Sequence, residues 1–362
     1  MLQKSSTLIM TNINMETNQP LVSIITPGWN GKEFVHHLIE SILEQTYDNL
    51  EYIYVDDGST DGTKDIVLSY QEKFYNRRIP FKYIFKENGG LCSAIQEGLK
   101  HVNGKYLCWP EYDDILLPNA MEARVNFLET HPDCAVVTCD ALITPIENLN
   151  KSIGILSGNN SNRYDRNHFV QLLTGNSIFT AACHMVRMDV FDATHPNREI
   201  YQSRVGAIWQ MLLPIYYKYN RGYIETPLVK WVIRKDSISN ERYSIKKRIE
   251  TIEEFFKIRM NVIQSMDIPA DDKELYIKLV QKNTADSWIK NGLIYQNKDM
   301  FYRGYNYYRI NNIYITKDIV WTKLQIDFPF LLYISNLYQK CKRQTYYFLR
   351  MVYHKLFILA KR

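Results

Sequence analysis

No two cysteines in this 362-residue chain are spaced as CxxC, so neither a zinc ribbon nor a dithiol redox motif has anything to build on. The six present (Cys92, Cys108, Cys134, Cys139, Cys183 and Cys341) lie mostly in apolar settings, which reads as buried thiols in a reducing compartment. No GxGxxG follows the first apolar run and no GxxxxGK[ST] is present, which argues against a dinucleotide dehydrogenase and a P-loop NTPase. Nor does any predominantly apolar, uncharged stretch reach the ~18 residues of a membrane-spanning helix. The polar Met1–Pro20 segment holds one short apolar run, Leu8-Ile-Met10, too brief for a signal-peptide core. The expected location is therefore the cytoplasm. Excess charge is also scarce: the net +5 is modest and says little until its position is known.

What is present is alternation. Leu21-Val-Ser-Ile-Ile-Thr26, Tyr52-Ile-Tyr-Val55, Phe81-Lys-Tyr-Ile-Phe85 and Tyr106 to Trp109 are β-branched or aromatic runs that read as strands. Between them, Phe34, Leu38, Ile42 and Leu43, then Ile66, Val67 and Tyr70, then Ala94, Ile95 and Leu99 follow helical spacing. Strands alternating with helices of this length predict right-handed βαβ units and a parallel sheet in an α/β fold. Each strand ends in a polar or Gly-rich loop: Pro27-Gly-Trp-Asn30, Asp56-Asp57, Asn88-Gly89-Gly90 and Glu111-Tyr-Asp-Asp114. Four such loops on one rim describe a pocket, at the edge where open α/β sheets bind ligands.

The fourth loop is the most specific. Glu111, Asp113 and Asp114 place three carboxylates within four residues, which a chain tolerates when a cation or water lies among them. Mn²⁺ and Mg²⁺ take oxygen ligands, often one or two carboxylates plus substrate phosphates. A polar loop whose acids cap the next helix is the other reading of the same residues.

Several blocks in order settle on a family. Pro20-Leu-Val-Ser-Ile-Ile-Thr-Pro27, Ser41-Ile-Leu-Glu-Gln-Thr-Tyr47, Val55-Asp-Asp-Gly-Ser-Thr-Asp-Gly-Thr63, Glu87-Asn-Gly-Gly90 and Tyr112-Asp-Asp114 resemble the family 2 inverting glycosyltransferases. The resemblance covers roughly residues 20 to 235 and implies a GT-A fold, a Rossmann-like mixed sheet with helices. It implies transfer of a sugar from a UDP- or dTDP-sugar to an acceptor hydroxyl, usually with Mn²⁺ or Mg²⁺. By position, Pro27 and Asn30 would line the nucleoside pocket, and Asp56 would accept a hydrogen bond from the base. Asn88, Gly89, Glu111 and Asp113 would contact the rest of the nucleotide sugar, and Asp113 and Asp114 would hold the metal. For Asp56 the competing role is to cap the following helix, which Ser59 could also do.

Two departures stand out. The family's Asp-x-Asp-Asp has Glu111 at its first position. An inverting transferase also needs a general base, which the family commonly draws from an acidic pair at the start of a helix. In Tyr201-Gln-Ser-Arg-Val-Gly-Ala-Ile-Trp-Gln-Met-Leu-Leu-Pro214 those places hold Ala207 and Ile208, and neither accepts a proton. The segment is similar to a subgroup of bacterial surface-polysaccharide enzymes that carry amides near this point. Asp192, His184 and His195 are the ionisable candidates nearby, each with a surface or structural role as its alternative.

The remainder reads as connections and helices. Asp140 to Arg166 is polar, as a mobile loop or a plain surface excursion would be. Gly175–Thr180 and Ala181–Val186 read as loop and strand, and Leu228–Arg234 as the strand that closes the catalytic domain. The expected organisation is a flexible 1–19, a GT-A domain over 20–240 and an α-helical region over 241–362. Residues 336–362 hold seven Lys or Arg and no acid, interleaved with aromatics. Such a stretch suits either an anionic membrane surface, where a lipid-linked glycan acceptor would be found, or a closing helix with surface lysines. The acidic rim argues against nucleic acid. Two rival functions remain: a catalytically silent relative that binds nucleotide sugar or a partner enzyme, and a nucleotidyltransferase. The second would want a basic, Gly-rich loop after the first strand, and Pro27-Gly-Trp-Asn-Gly31 offers no Lys or Arg until Lys32.

Overall fold

A computed structural model describes residues 19–234 and 244–327. The flexible N-terminus and the basic 336–362 stretch expected above lie outside these residues. The chain divides into two compact units, at 240/241.

The first unit starts with β1 (Val22–Gly28), every residue of which is buried. After it come α1 (Val35–Leu43), β2 (Leu50–Asp56), α2 (Thr63–Ser69), α3 (Gln71–Asn76), β3 (Phe81–Phe85), α4 (Leu91–Leu99) and β4 (Tyr106–Cys108). β1 pairs in parallel with both β2 and β4, and β2 with β3. Burial on both faces explains why β1 reads as a continuous apolar run. The register Gly28–Asp56–Phe85 aligns the three strand ends, so their loops share one edge.

The second half of the sheet is mixed. β5 (Ile115–Leu116), α5 (Ala120–Thr130), β6 (Cys134–Pro145), β7 (Gly154–Ile155), α6 (Phe169–Leu173), β8 (His184–Arg187), α7 (Met188–Thr194), α8 (Ala207–Lys218) and β9 (Asn220–Ile233) complete the unit. Among the described residues the strand order is β3-β2-β1-β4-β8-β6-β9-β5, with β7 on β6. β8 is antiparallel to β4 and β6, whereas β9 runs parallel to β6.

Two sequence expectations need correction here. The polar stretch from Asp140 does not begin a loop, because β6 runs through it to Pro145. Asp140 is buried, and its carboxylate accepts from Ser157 N at 3.1 Å, from Tyr223 Oη at 2.6 Å and from the Ser157 hydroxyl. With Ala141 N as a fourth donor at 2.9 Å, this buried acid is satisfied within the strand. The closing strand also starts earlier than Leu228, at Asn220. Asn220-Arg-Gly222 looks like a turn, but the buried Arg221 guanidinium donates to the carbonyls of Arg163 and Asp165.

The second unit is helical: α9 (Ile245–Ser265), α10 (Ala270–Ile294), α11 (Lys298–Ile310) and α12 (Lys317–Asp327). The backbones of α10 and α11 approach so closely that a Cβ on Gly292 would sit 2.5 Å from Phe301 N. One on Gly304 would sit 2.3 Å from Ala285 O. Ala285, Ile289, Phe301, Tyr308 and Ile326 form its core. No described helix is long and apolar enough to cross a membrane.

Candidate functional site

The site is assembled from the four rim loops. After β1, Gly28 packs beneath Tyr54, where a Cβ would lie 1.9 Å from the phenolic oxygen. Asn30 adopts a left-handed conformation (φ 49°), which asparagine tolerates better than most residues. Its N–H donates to Ser59 Oγ at 2.9 Å, and its Oδ1 accepts from Thr60 N at 2.9 Å. Gly31 N donates to Thr63 Oγ1 at 2.9 Å and Lys32 N to Asp61 Oδ2 at 3.0 Å. The first two loops are thus stitched together by four bonds. Trp29 stands half exposed at their tip.

Asp56 is fully buried rather than open to a base: Oδ1 accepts from Ser59 N at 2.7 Å and Oδ2 from Tyr83 Oη at 2.6 Å. Its carboxylate closes a turn and ties β2 to β3, the capping role that competes with the expected ligand contact. The neighbouring acid is the organising one. Asp57 Oδ1 accepts from Lys86 Nζ at 2.8 Å and Gly89 N at 2.9 Å, and Oδ2 from Gly90 N at 2.7 Å. Asn88 Nδ2 donates back to the Asp57 carbonyl at 2.8 Å, and Asn88 Oδ1 accepts from Arg204 Nη1 at 2.7 Å. Sequence reasoning passed over Asp57. The available signal was an acid facing a loop of backbone N–H groups without side chains, Gly89-Gly90.

In the acidic loop the three carboxylates separate. Asp114 is buried and turned inward, with Oδ2 accepting from Glu111 N at 3.2 Å. Its burial, then the Asp113 and Glu111 charges, push its carboxyl well above the usual range. Glu111 keeps contact with solvent, but the surrounding protein strips part of its hydration and the Asp113 charge adds to the upward push. Asp113 pairs with Arg234 at 2.8 Å.

An oxygen-only donor set whose members repel one another suits a hard cation in its chemistry. Among the described residues, however, no three His, Cys, Asp or Glu side chains converge on one point. Asp114, expected as a metal ligand, is the most enclosed of the three carboxylates. Asp113 and the open Glu111 are the pair that could hold a cation, with the donor's phosphates supplying the other oxygens.

Beside these loops lies a cavity of about 250 Å³, with Pro27, Trp109, Glu111, Thr180, Ala207 and Ile208 in its wall. Glu111 is its one ionisable lining side chain among the described residues. Ala207 and Ile208 open α8 there, so the place expected for an acidic pair faces the cavity without a proton acceptor.

The substitute bases fare poorly. Asp192 is held by Arg198 at 2.7 and 2.9 Å, and Arg198 Nη1 donates to the carbonyls of Leu99 and Val102 at 3.0 and 2.9 Å. Those carbonyls lie at the far end of α4, whose first residue, Leu91, lines the cavity, so Asp192 belongs to the opposite edge of the sheet. His195 is buried, with Nε2 2.7 Å from Gln210 O. His184 is buried behind Trp109, with ring centroids 6.1 Å apart and Nδ1 2.9 Å from Thr180 O. Burial, reinforced by the Arg221 charge, pushes its pKa down to about 3, too weak a base for work near neutrality.

His168 is likewise pushed down to about 4, by burial. Both histidines are neutral when folded and titrate near 6.5 when unfolded. The unfolded chain therefore binds more protons below that pH, and stability is complete above about 6.5 and drains away as pH falls toward 4. Urea midpoints between pH 7.5 and 4.5 should fall accordingly, and His184→Asn should flatten the slope.

Comparisons with known proteins complete the picture. Residues 23–194 match the family model described as "Glycosyl transferase family 2". An uncharacterized glycosyltransferase of Rickettsia prowazekii is 46% identical over 109 residues, 30% of this chain and 32% of that protein. A putative teichuronic acid biosynthesis glycosyltransferase of Bacillus subtilis, TuaG, is 34% identical over 110 residues, 30% of this chain and 42% of that protein. The match thus spans a third to two-fifths of these relatives. The structure of S. aureus TarS residues 1–349 in complex with UDP-GlcNAc superposes with a TM-score of 0.59 at 15% identity, covering 85% of this chain and 88% of that one. At that identity the likeness is one of fold.

Proposed function

We propose that this chain, whose residues 23–194 match the family 2 glycosyltransferase model and whose fold is GT-A-like, moves a sugar from a UDP- or dTDP-sugar to an acceptor hydroxyl, with inversion, in bacterial surface-glycan assembly. The observation that carries this reading is the rim: three loops hydrogen-bonded to one another at one sheet edge, with the acidic loop beside them and a cavity whose wall includes Glu111. The fold neighbour TarS, solved with UDP-GlcNAc, supports a uridine donor.

In this reading the stitched first and second loops hold the nucleoside, with Pro27 and Asn30 at its edge. Asp57 keeps Asn88, Gly89 and Gly90 in place against the donor. Asp113 and Glu111 would hold the cation, which would supply charge neutralisation to a departing diphosphate. The apolar opening of α8 excludes water from the acceptor side, which favours transfer over hydrolysis.

A second reading is favoured by Ala207 and Ile208: a silent relative that binds nucleotide sugar without turning it over. Calorimetry with UDP and Mn²⁺, followed by donor turnover with candidate acceptors, tests both. Saturable UDP binding with sugar transfer is the expected result. Binding without transfer or hydrolysis selects the silent relative, and no UDP binding overturns both readings.

A further inference from the structure

Arg234 follows β9 and sets its guanidinium against the acidic loop, Nη2 to Asp113 Oδ2 at 2.8 Å, with the two side chains only 11% and 16% exposed. The guanidinium also lies over the Phe34 ring at 4.2 Å and near the Tyr112 ring at 6.0 Å. The first loop, the acidic loop and the end of β9 therefore meet at one cation. A stacked guanidinium is rigidly placed, and its planar fork suits phosphate as well as carboxylate. It already occupies the carboxylate that a divalent cation would use.

We propose that Arg234 is a resident counter-ion at Asp113, displaced by the divalent cation and received by the donor's diphosphate, so that cation and donor bind cooperatively. The inference rests on the donor-and-cation reading of the site. Its physics is competition: two cations share one carboxylate poorly, and the incoming cation must break a largely desolvated pair. A diphosphate offers the released guanidinium a new anionic partner. By linkage, each ligand then raises the affinity of the other by the same factor.

A purely structural role for Arg234 predicts the opposite sign. If the guanidinium only positioned Asp113, its loss would weaken cation binding. If it competes, its loss strengthens it.

Mn²⁺ binding followed by electron paramagnetic resonance, with and without UDP, reads the sign directly and needs no turnover. In the native chain UDP should tighten Mn²⁺ binding by roughly 10-fold or more, within the usual range of coupling. Arg234→Gln should bind Mn²⁺ alone about 5-fold tighter than native and lose most of the UDP effect. Equal or weaker Mn²⁺ binding by Arg234→Gln overturns the proposal. So does an absence of UDP–Mn²⁺ coupling in the native chain, a measurement that stands even where the variant fails to fold. UDP binding that ignores Mn²⁺ would sink this inference while leaving the donor assignment standing, whereas no UDP binding at all removes both.

Discussion

Replacing Asp113 with asparagine should cut sugar transfer at saturating donor by about two to three orders of magnitude, the scale of several kcal/mol of charge stabilisation at a leaving diphosphate. The substitution keeps the shape of the side chain and deletes its charge. Two consequences follow from the 2.8 Å pair with Arg234. The cation loses its best-placed carboxylate, and the guanidinium is left with a neutral partner. UDP affinity measured in the presence of Mn²⁺ should therefore fall, while UDP affinity measured in EDTA should hold or rise, since Arg234 becomes available to phosphate. Native-like turnover by Asp113→Asn would remove this carboxylate from the mechanism. A matched control is Asp192→Asn, at the opposite sheet edge, which should leave transfer unchanged.

The second large effect is expected at Asp57. Its side chain is buried and accepts from Gly89 N, Gly90 N and Lys86 Nζ. Asp57→Ala leaves two N–H groups without their acceptor and a largely covered ammonium without its partner. Removing one side of such a pair costs about 3 kcal/mol. For a unit of this size that corresponds to roughly 6–12 °C in Tm. The loop it holds would also lose its shape, so UDP binding should fail even in the folded fraction at low temperature. Differential scanning calorimetry and UDP titration at 10 °C check the two parts separately. A variant with native Tm and native UDP affinity would show that Gly89 and Gly90 need no anchor.

The alternation of strands and helices from Leu21 to Trp109 was legible because parallel strands buried on both faces leave continuous apolar runs between turn residues. The second half of the sheet was harder to see. β6 and β9 contain Asp140 and Arg221, whose charges are satisfied by Ser157 and Tyr223 in one case and by the Arg163 and Asp165 carbonyls in the other. Those partners are 17 to 83 residues away from Asp140, and no local pattern encodes them. The rim was legible as a set of loops, but not in the division of labour within it. Asp56 and Asp57 are equivalent on paper. Strand alternation turns the first inward onto Tyr83 and the second toward the glycine loop. In the same way Asp113 and Asp114 differ only in the direction the backbone gives them, one toward Arg234 and the other toward the Glu111 N–H. The apolar pair Ala207 and Ile208 was visible from residue identity alone, and both residues line the cavity.

The stitching between Asn30, Gly31 and Lys32 on one side and Ser59, Thr60, Asp61 and Thr63 on the other has a consequence for re-engineering this chain. Each segment supplies the hydrogen-bond partners that shape the other. Grafting either from a relative with different base preference would strand polar groups on both. The smallest exchangeable cassette is the pair, 27–32 together with 56–63, and a change of nucleotide selectivity should be sought by moving both at once.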